Sequence, residues 1–216
     1  MSALLVRTAR IGYAPAWDRQ RALADARARD AGPDVVWLLE HDPVYTVGRH
    51  GTRADLFVSD DALAGMGAAF HAVDRGGQMT WHGPGQTTGY VIQRLPEGMG
   101  VRAFVLALLR SMADASGIAG AEVDAESMGV YVRGRKLGSV GIRVKNRVSY
   151  HGLALNRDPD LAWYDVMTAC GAPGVKATSI AAEGGDPDRG RVEGLLSEAL
   201  ARRLGLELTP GGLPAP

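Results

Sequence analysis

Gly129-Val-Tyr-Val132, Lys136-Leu-Gly-Ser-Val-Gly-Ile-Arg-Val144 and Val148-Ser-Tyr-His-Gly-Leu-Ala-Leu-Asn156 are three runs rich in branched and aromatic residues. Turn signals at Arg133-Gly134 and Lys145-Asn146 separate them, so the stretch predicts a three-stranded antiparallel meander. Gly138, Gly141 and Gly152 interrupt its strands, and a glycine inside a strand marks a bulge or the close approach of a ligand or another backbone. Upstream, Leu4–Arg7 reads as a strand, residues 16–30 as a surface helix, and Asp34–Glu40 as a continuous apolar strand that ends in His41-Asp-Pro43. Val44–Val47 resumes briefly. Val101–Ser116 places Val101, Phe104, Val105, Leu108, Leu109 and Met112 on one helical face, and Val192–Leu204 reads as a second amphipathic helix. Strands mixed with a few helices, with an evident antiparallel part, predict an α/β (α+β) mixed sheet flanked by helices. One domain over residues 1–216 is expected, with residues 206–216 as a frayed tail.

The bulk numbers exclude several classes. The chain has 216 residues with 24 Lys and Arg against 24 Asp and Glu; that balance does not suit a general polyanion binder, so no nucleic-acid partner is expected. No apolar run approaches the roughly 20 residues that span a bilayer, and the start lacks the pattern of a secretory signal. No membrane association and a cytoplasmic location follow as expectations. A single cysteine, Cys170, excludes an internal disulfide and a zinc site built on several thiolates. No two histidines show close helical ligand spacing, so neither metal nor cofactor is expected.

Asp74-Arg-Gly-Gly-Gln-Met-Thr-Trp-His-Gly-Pro-Gly-Gln86 packs glycine and proline around Arg75, Gln78, Thr80, His82 and Gln86. Such a segment is neither an ordinary helix nor a central strand. It reads as a shaped ligand loop between two buried strands, 68–73 and 88–93. Arg75 either clamps an anion or pairs on the surface, and His82 is either a hydrogen-bonding scaffold or a catalyst. Cys170 lies in Met167-Thr-Ala-Cys-Gly-Ala-Pro-Gly174, a breaker-rich loop whose position favours exposure; the thiol either fills a small pocket or is a reactive group. A free thiol is only about 3% thiolate at neutral pH, so a nucleophilic cysteine needs a nearby cation or base. Lys136, Lys145, Lys176 and several histidines are available. The run Arg133, Arg135, Lys136, Arg143, Lys145 and Arg147 is a solvated hairpin face or a surface for an acidic protein.

Arg75-Gly-Gly-Gln78 with Thr80 and His82-Gly-Pro-Gly-Gln86 resemble the signature of the octanoyltransferases of lipoate biosynthesis. Further blocks agree: His41-Asp-Pro43 with Thr46 and Gly48, Gly129-Val-Tyr-Val132 leading to Lys136, Ser139-Val-Gly141, His151-Gly-Leu-Ala-Leu-Asn156 and Cys170-Gly171. Their order spans roughly Val35 to Ser179. Trp81 stands where tyrosine is common in that family, and Ala169 where proline often precedes the cysteine.

The resemblance implies a lipoate/biotin protein ligase-like catalytic domain that moves octanoyl from octanoyl-acyl carrier protein to a lysine of lipoyl domains. Those acceptors belong to 2-oxoacid dehydrogenase subunits and the glycine-cleavage H protein. Carried over, Cys170 is the acyl-thioester nucleophile and Lys136 its proton-handling partner. An ammonium about 4 Å from a thiolate gains up to ~4 kcal/mol at an effective dielectric near 20, which favours the thiolate by roughly three pKa units before desolvation subtracts. Substrate-binding positions carried over are Arg75, Gly76, Gly77, Gln78, Met79, Thr80, Trp81, His82, Ser139, Val140, Gly141, Gly152, Leu153 and Ala154. The rival readings are an ATP-dependent lipoate or biotin ligase of the same fold, which needs no cysteine nucleophile, and a noncatalytic acyl- or carrier-protein adaptor.

Overall fold

The computed structural model describes residues 1–168 and 174–214. Its frame is an eight-stranded mixed sheet in the order β11-β1-β2-β6-β10-β9-β8-β7. The strands are β1 (Ser2–Arg7), β2 (Asp34–Leu39), β6 (Gln86–Arg94), β7 (Glu122–Asp124), β8 (Gly129–Val132), β9 (Arg135–Lys145), β10 (Val148–Asn156) and β11 (Glu207–Pro210). β1 runs parallel to β2 and β11, and every other neighbour pair is antiparallel. The meander predicted from the sequence is β8-β9-β10.

Residue alternation divides the two faces of this sheet. Val36 and Leu38 of β2, Val91 of β6 and Leu153 and Leu155 of β10 join Phe104, Leu108 and Met112 of α3 (Val101–Ser116) and Val192, Leu196 and Leu200 of α4 (Arg189–Leu204). Val35, Trp37 and Leu39, with Tyr90, Ile92 and Tyr150, pack instead on Ala16, Leu23 and Ala24 of α1 (Tyr13–Ala28). A central strand covered on both faces must be apolar at successive positions, hence the unbroken run in β2. α3 and α4 stop at Gly117 and Gly205, both at φ 64°, the left-handed conformation that ends helices where no Cβ intervenes.

Two expectations are corrected. Residues 206–216 were expected to fray, yet Glu207–Pro210 pairs with β1 as an edge strand; the edge position tolerates Pro210, which has no N–H to donate. The segment 74–86 was expected to be all loop, yet Met79–His82 forms β5, fully buried, antiparallel to β3 (Val44–Val47) in a second, three-stranded sheet with β4 (Ala69–Ala72). β4, expected to be buried, is half exposed at the edge. The breakers lie at the ends of β5 and leave four residues between Gln78 and Gly83 free to pair.

Candidate active site

β5 and the turn before it cover part of β9 and β10 and enclose a cavity of about 240 Å³. Alternation along β5 sends Thr80 and His82 into it, while Trp81 turns away to stack on Trp163 at 5.6 Å between ring centroids. Its floor is Ser139–Gly141 of β9 and Gly152–Ala154 of β10, which face each other in register. Glycine at 152 is required by packing, because a Cβ there would run into the carbonyl of Gly89 on the neighbouring β6. At Gly141 a Cβ would sit 3.0 Å from Cδ of Arg75. The interrupting glycines are close-approach positions.

Of the sequence-predicted binding positions, Arg75, Gly77, Gln78, Met79, Thr80, His82, Ser139, Val140, Gly141, Gly152, Leu153 and Ala154 come together around this cavity. Gly76 and Trp81 do not line it. Gly76 is occupied in donating its N–H to Ile142 O at 2.9 Å, and Trp81 faces the core of the small sheet. Arg75 is buried and donates to Thr46 O at 2.8 Å, Thr46 Oγ1 at 2.9 Å and Gly76 O at 3.0 Å, so it is a brace for β3 rather than a surface partner of Asp74.

Sequence reasoning missed Tyr13, Thr88, Tyr90, His50, Ser127 and Met128 in the lining, and gave His151 no place in it. Tyr13 opens α1 and carries no motif, so only the fold could bring it beside β5. The mouth is the exposed side, at His50, Gln78, Glu126 and Ser127; Tyr13, His82, Thr88, Tyr90 and His151 form the buried end.

Protonation at the buried end is set mainly by desolvation. Burial lowers His41 to about 4, against the opposing effect of its bond to the backbone of Ile11. Its Nδ1–H donates to Ile11 O at 2.8 Å, which leaves Nε2 to accept from the Tyr90 hydroxyl at 2.5 Å. Burial, then the neighbouring His41, holds His82 well below the usual histidine range. Gln86 spends its Nε2 on Trp81 O, Asn156 Oδ1 and Tyr164 Oη at 2.9–3.1 Å, so Gln86 Oε1 accepts from His82 Nδ1–H at 2.7 Å. Burial lowers His151 too, although Asp74 opposes it. Asp74 itself stays below the usual carboxylate range: its own burial pushes up, and bonds from His151 (2.9 Å) and Tyr150 outweigh that.

Lys136 lies beyond the Ser139–Ala154 end of the cavity. It is 6% exposed, with Nζ donating to Ser127 O at 3.3 Å and lying 5.4 Å from the centre of the Tyr131 ring. Its backbone binds the strand-like return of the chain: Lys136 N–H donates to Lys176 O at 2.8 Å and Thr178 N–H to Lys136 O at 2.9 Å. On the other flank, Thr168 N–H donates to Asp55 O at 2.8 Å. Met167 and Ala177 line, with Lys136, a small cavity of about 20 Å³ that shares Thr80, Ser139 and Ala154 with the larger one. Cys170, predicted as the nucleophile, lies with Ala169 outside the described residues.

The basic hairpin is not a free cationic face. Arg133 and Arg135 pair with Glu183 at 3.0 and 2.7 Å, Arg143 with Asp74 at 3.4 Å and Lys145 with Asp25 at 3.5 Å. No group of three or more potential metal ligands occurs among the described residues, and no described helix is long and apolar enough to cross a membrane.

The mixed sheet carries the fold of a lipoyl protein ligase A/B catalytic domain, and the model of that family matches residues 12–200. The fold agrees with that of a lipoate-protein ligase A solved with ATP, at a TM-score of 0.77 and 13% identity over 99% of this chain and 90% of the other. Sequence similarity is narrower in meaning: an octanoyltransferase of Aromatoleum aromaticum is 42% identical over 98% of this chain and 90% of its own length. One from Dictyoglomus thermophilum is 42% identical over 81% and 75%. The chain belongs to the lipoyl protein ligase A/B family and, within it, to the octanoyltransferases, a family of acyltransferases.

Proposed function

We propose that this enzyme carries octanoyl from octanoyl-acyl carrier protein to a lysine of lipoyl domains, in 2-oxoacid dehydrogenase subunits and the glycine-cleavage H protein, through a thioester on Cys170. The cytoplasm is the compartment that goes with this reading. The observation that carries it is the pairing of Lys136 with the return strand Lys176–Thr178, while Met167 from the other flank of Cys170 lines the same small cavity. Both sides of the cysteine segment are thus tied to the surroundings of Lys136, next to an acyl-sized cavity.

The chemistry needs no activation by nucleotide. The Cys170 thiolate attacks the donor thioester carbonyl, a tetrahedral oxyanion forms and collapses, and the carrier thiolate leaves and takes a proton. The exchange swaps one thioester for another. The acceptor amine then attacks the enzyme thioester, forms the amide and returns the Cys170 thiolate. Before that attack the acceptor ammonium must lose a proton, since a lysine is almost wholly protonated near neutrality. Lys136, left neutral once its proton has gone to the leaving carrier thiolate, takes one proton from the acceptor and as an ammonium again stabilises the Cys170 thiolate, while the second proton, released as the amide forms, passes to solvent. Arg75 through His82, with Ser139–Gly141 and Gly152–Ala154, hold the acyl chain; here Gly76 acts by bracing the wall and Trp81 by packing behind it.

Intact-mass measurement after incubation with octanoyl-acyl carrier protein tests the reading. The expected result is one octanoyl adduct, abolished by Cys170→Ala and discharged onto a lipoyl domain. Undiminished, ATP-supported acylation of the acceptor by Cys170→Ala would overturn the thioester route in favour of a ligase. A wild-type protein that binds the donor but never becomes acylated would favour the adaptor.

A further inference from the structure

The buried end of the cavity is polar in a way that an unsubstituted alkyl chain does not use. Tyr13 and His82, 4% and 7% exposed, lie there with their rings stacked at 6.0 Å and 13°. The Tyr13 hydroxyl makes no hydrogen bond to any described residue. His82 Nδ1–H is committed to Gln86, so Nε2 presents a lone pair, and it too has no partner among the described residues. His151 repeats the pattern: Nε2–H is held by Asp74 at 2.9 Å, while Nδ1 is buried with no partner. The nearby His41 and Tyr90 satisfy each other at 2.5 Å. The Tyr13 hydroxyl, the Thr88 hydroxyl, which is also buried with no partner among the described residues, and the His82 acceptor therefore remain at the buried end.

Position across the strands decides what can reach them. Ser139 of β9, Ala154 of β10 and Thr88 of β6 lie in register, two strand spacings or about 9.6 Å from first to last; His82, bonded to Gln86 of β6, and the Tyr13 ring stacked on it stand at that β6 side. An extended chain advances roughly 3.3–3.6 Å per three backbone bonds, so an eight-carbon acyl group spans about 8–9 Å. With its carbonyl at the Lys136 end, its last carbon comes level with Tyr13 and His82.

We propose that this end is a hydrogen-bonding subsite for medium-chain acyl thioesters bearing a terminal hydroxyl, which would accept from Tyr13 and donate to an imidazole nitrogen. The inference rests on the acyl-transfer reading above and extends its substrate class. A hydroxyl is the group that both donates and accepts.

The test compares octanoyl- and 8-hydroxyoctanoyl-acyl carrier protein as donors to a lipoyl domain, with product masses giving kcat/KM for each. Wild type should use the two within about threefold, whereas a wall without partners would penalise the hydroxyl by about tenfold or more. Tyr13→Phe should lower the hydroxyoctanoyl/octanoyl ratio by about tenfold. A wild-type ratio below about one-tenth would overturn the subsite, as would a ratio unmoved in Tyr13→Phe. If that variant does not fold, the wild-type ratio alone decides. Failure to transfer octanoyl itself would instead overturn the acyl-transfer reading.

Discussion

The small cavity at Lys136 and the buried end of the larger one beside it surround their ionisable side chains differently. At the Lys136 end the amine has a carbonyl acceptor in Ser127 and the face of Tyr131, surroundings that suit a cation. At the other end His41 and His82 are pressed against aromatic rings and one another, and desolvation drives both towards the neutral form. Burial alone therefore does not fix a charge state; the partners supplied with it do. On the proposed reading, one end serves proton transfer and the other shape and hydrogen bonding.

The strongest way to break this comparison is at Lys136. Lys136→Ala should cut kcat about 10²–10⁴-fold, the usual contribution of a positioned acid–base group, and should move the pH dependence of Cys170 alkylation to higher pH. An unchanged alkylation profile would remove the distinction between the ends. Next in size is the floor that joins them: Gly152→Ala drives a Cβ into the Gly89 carbonyl, and overpacking of this kind should cost about 3 kcal/mol in urea unfolding.

The neutral end can be tested by pH. His41 is held at about 4, so between about pH 6.5 and 4 the unfolded chain binds a proton that the native state refuses. Stability thus rises with pH across that window and is lost on acidification. Between pH 7 and 5 the loss from such a histidine should be about 2 kcal/mol, and equal urea midpoints at the two pH values would show the site to be charged. Gln86→Ala, which frees His82 Nδ1 and unties Tyr164 and Asn156, should cost about 1–3 kcal/mol in the same assay. At the small end of the scale, Lys145→Ala on the exposed hairpin should change stability by less than about 0.5 kcal/mol; its partner Asp25 is a solvated surface carboxylate.

Legibility in the sequence followed the range of the interactions. β2, α3, α4 and the β8-β9-β10 meander were readable because apolar period and turn residues are local properties. β5 was hidden by neighbouring glycines and a proline, which mark where pairing stops without revealing the four residues that pair. β11 was hidden because a short polar segment becomes a strand only when the edge of β1 is offered to it. Most acyl-site positions were reached through motif resemblance. Trp81 was given as a binding position and turns away from the cavity, because a motif does not state which residues alternate inward, and Tyr13, Tyr90 and His151 were missed because three separate elements bring them together.

The sequence by itself determined the mixed sheet, the absence of a disulfide, and the pairing of a lone cysteine with a lysine as the chemistry worth testing. These rest on composition, periodicity and motif order, which are written along the chain. Only the tertiary structure decided that Arg75 braces β3, that the hairpin cations are matched by Glu183, Asp74 and Asp25, and that burial shifts the histidines at the buried end towards the neutral form. Those outcomes depend on what is buried beside what, a property of contacts between residues far apart in sequence.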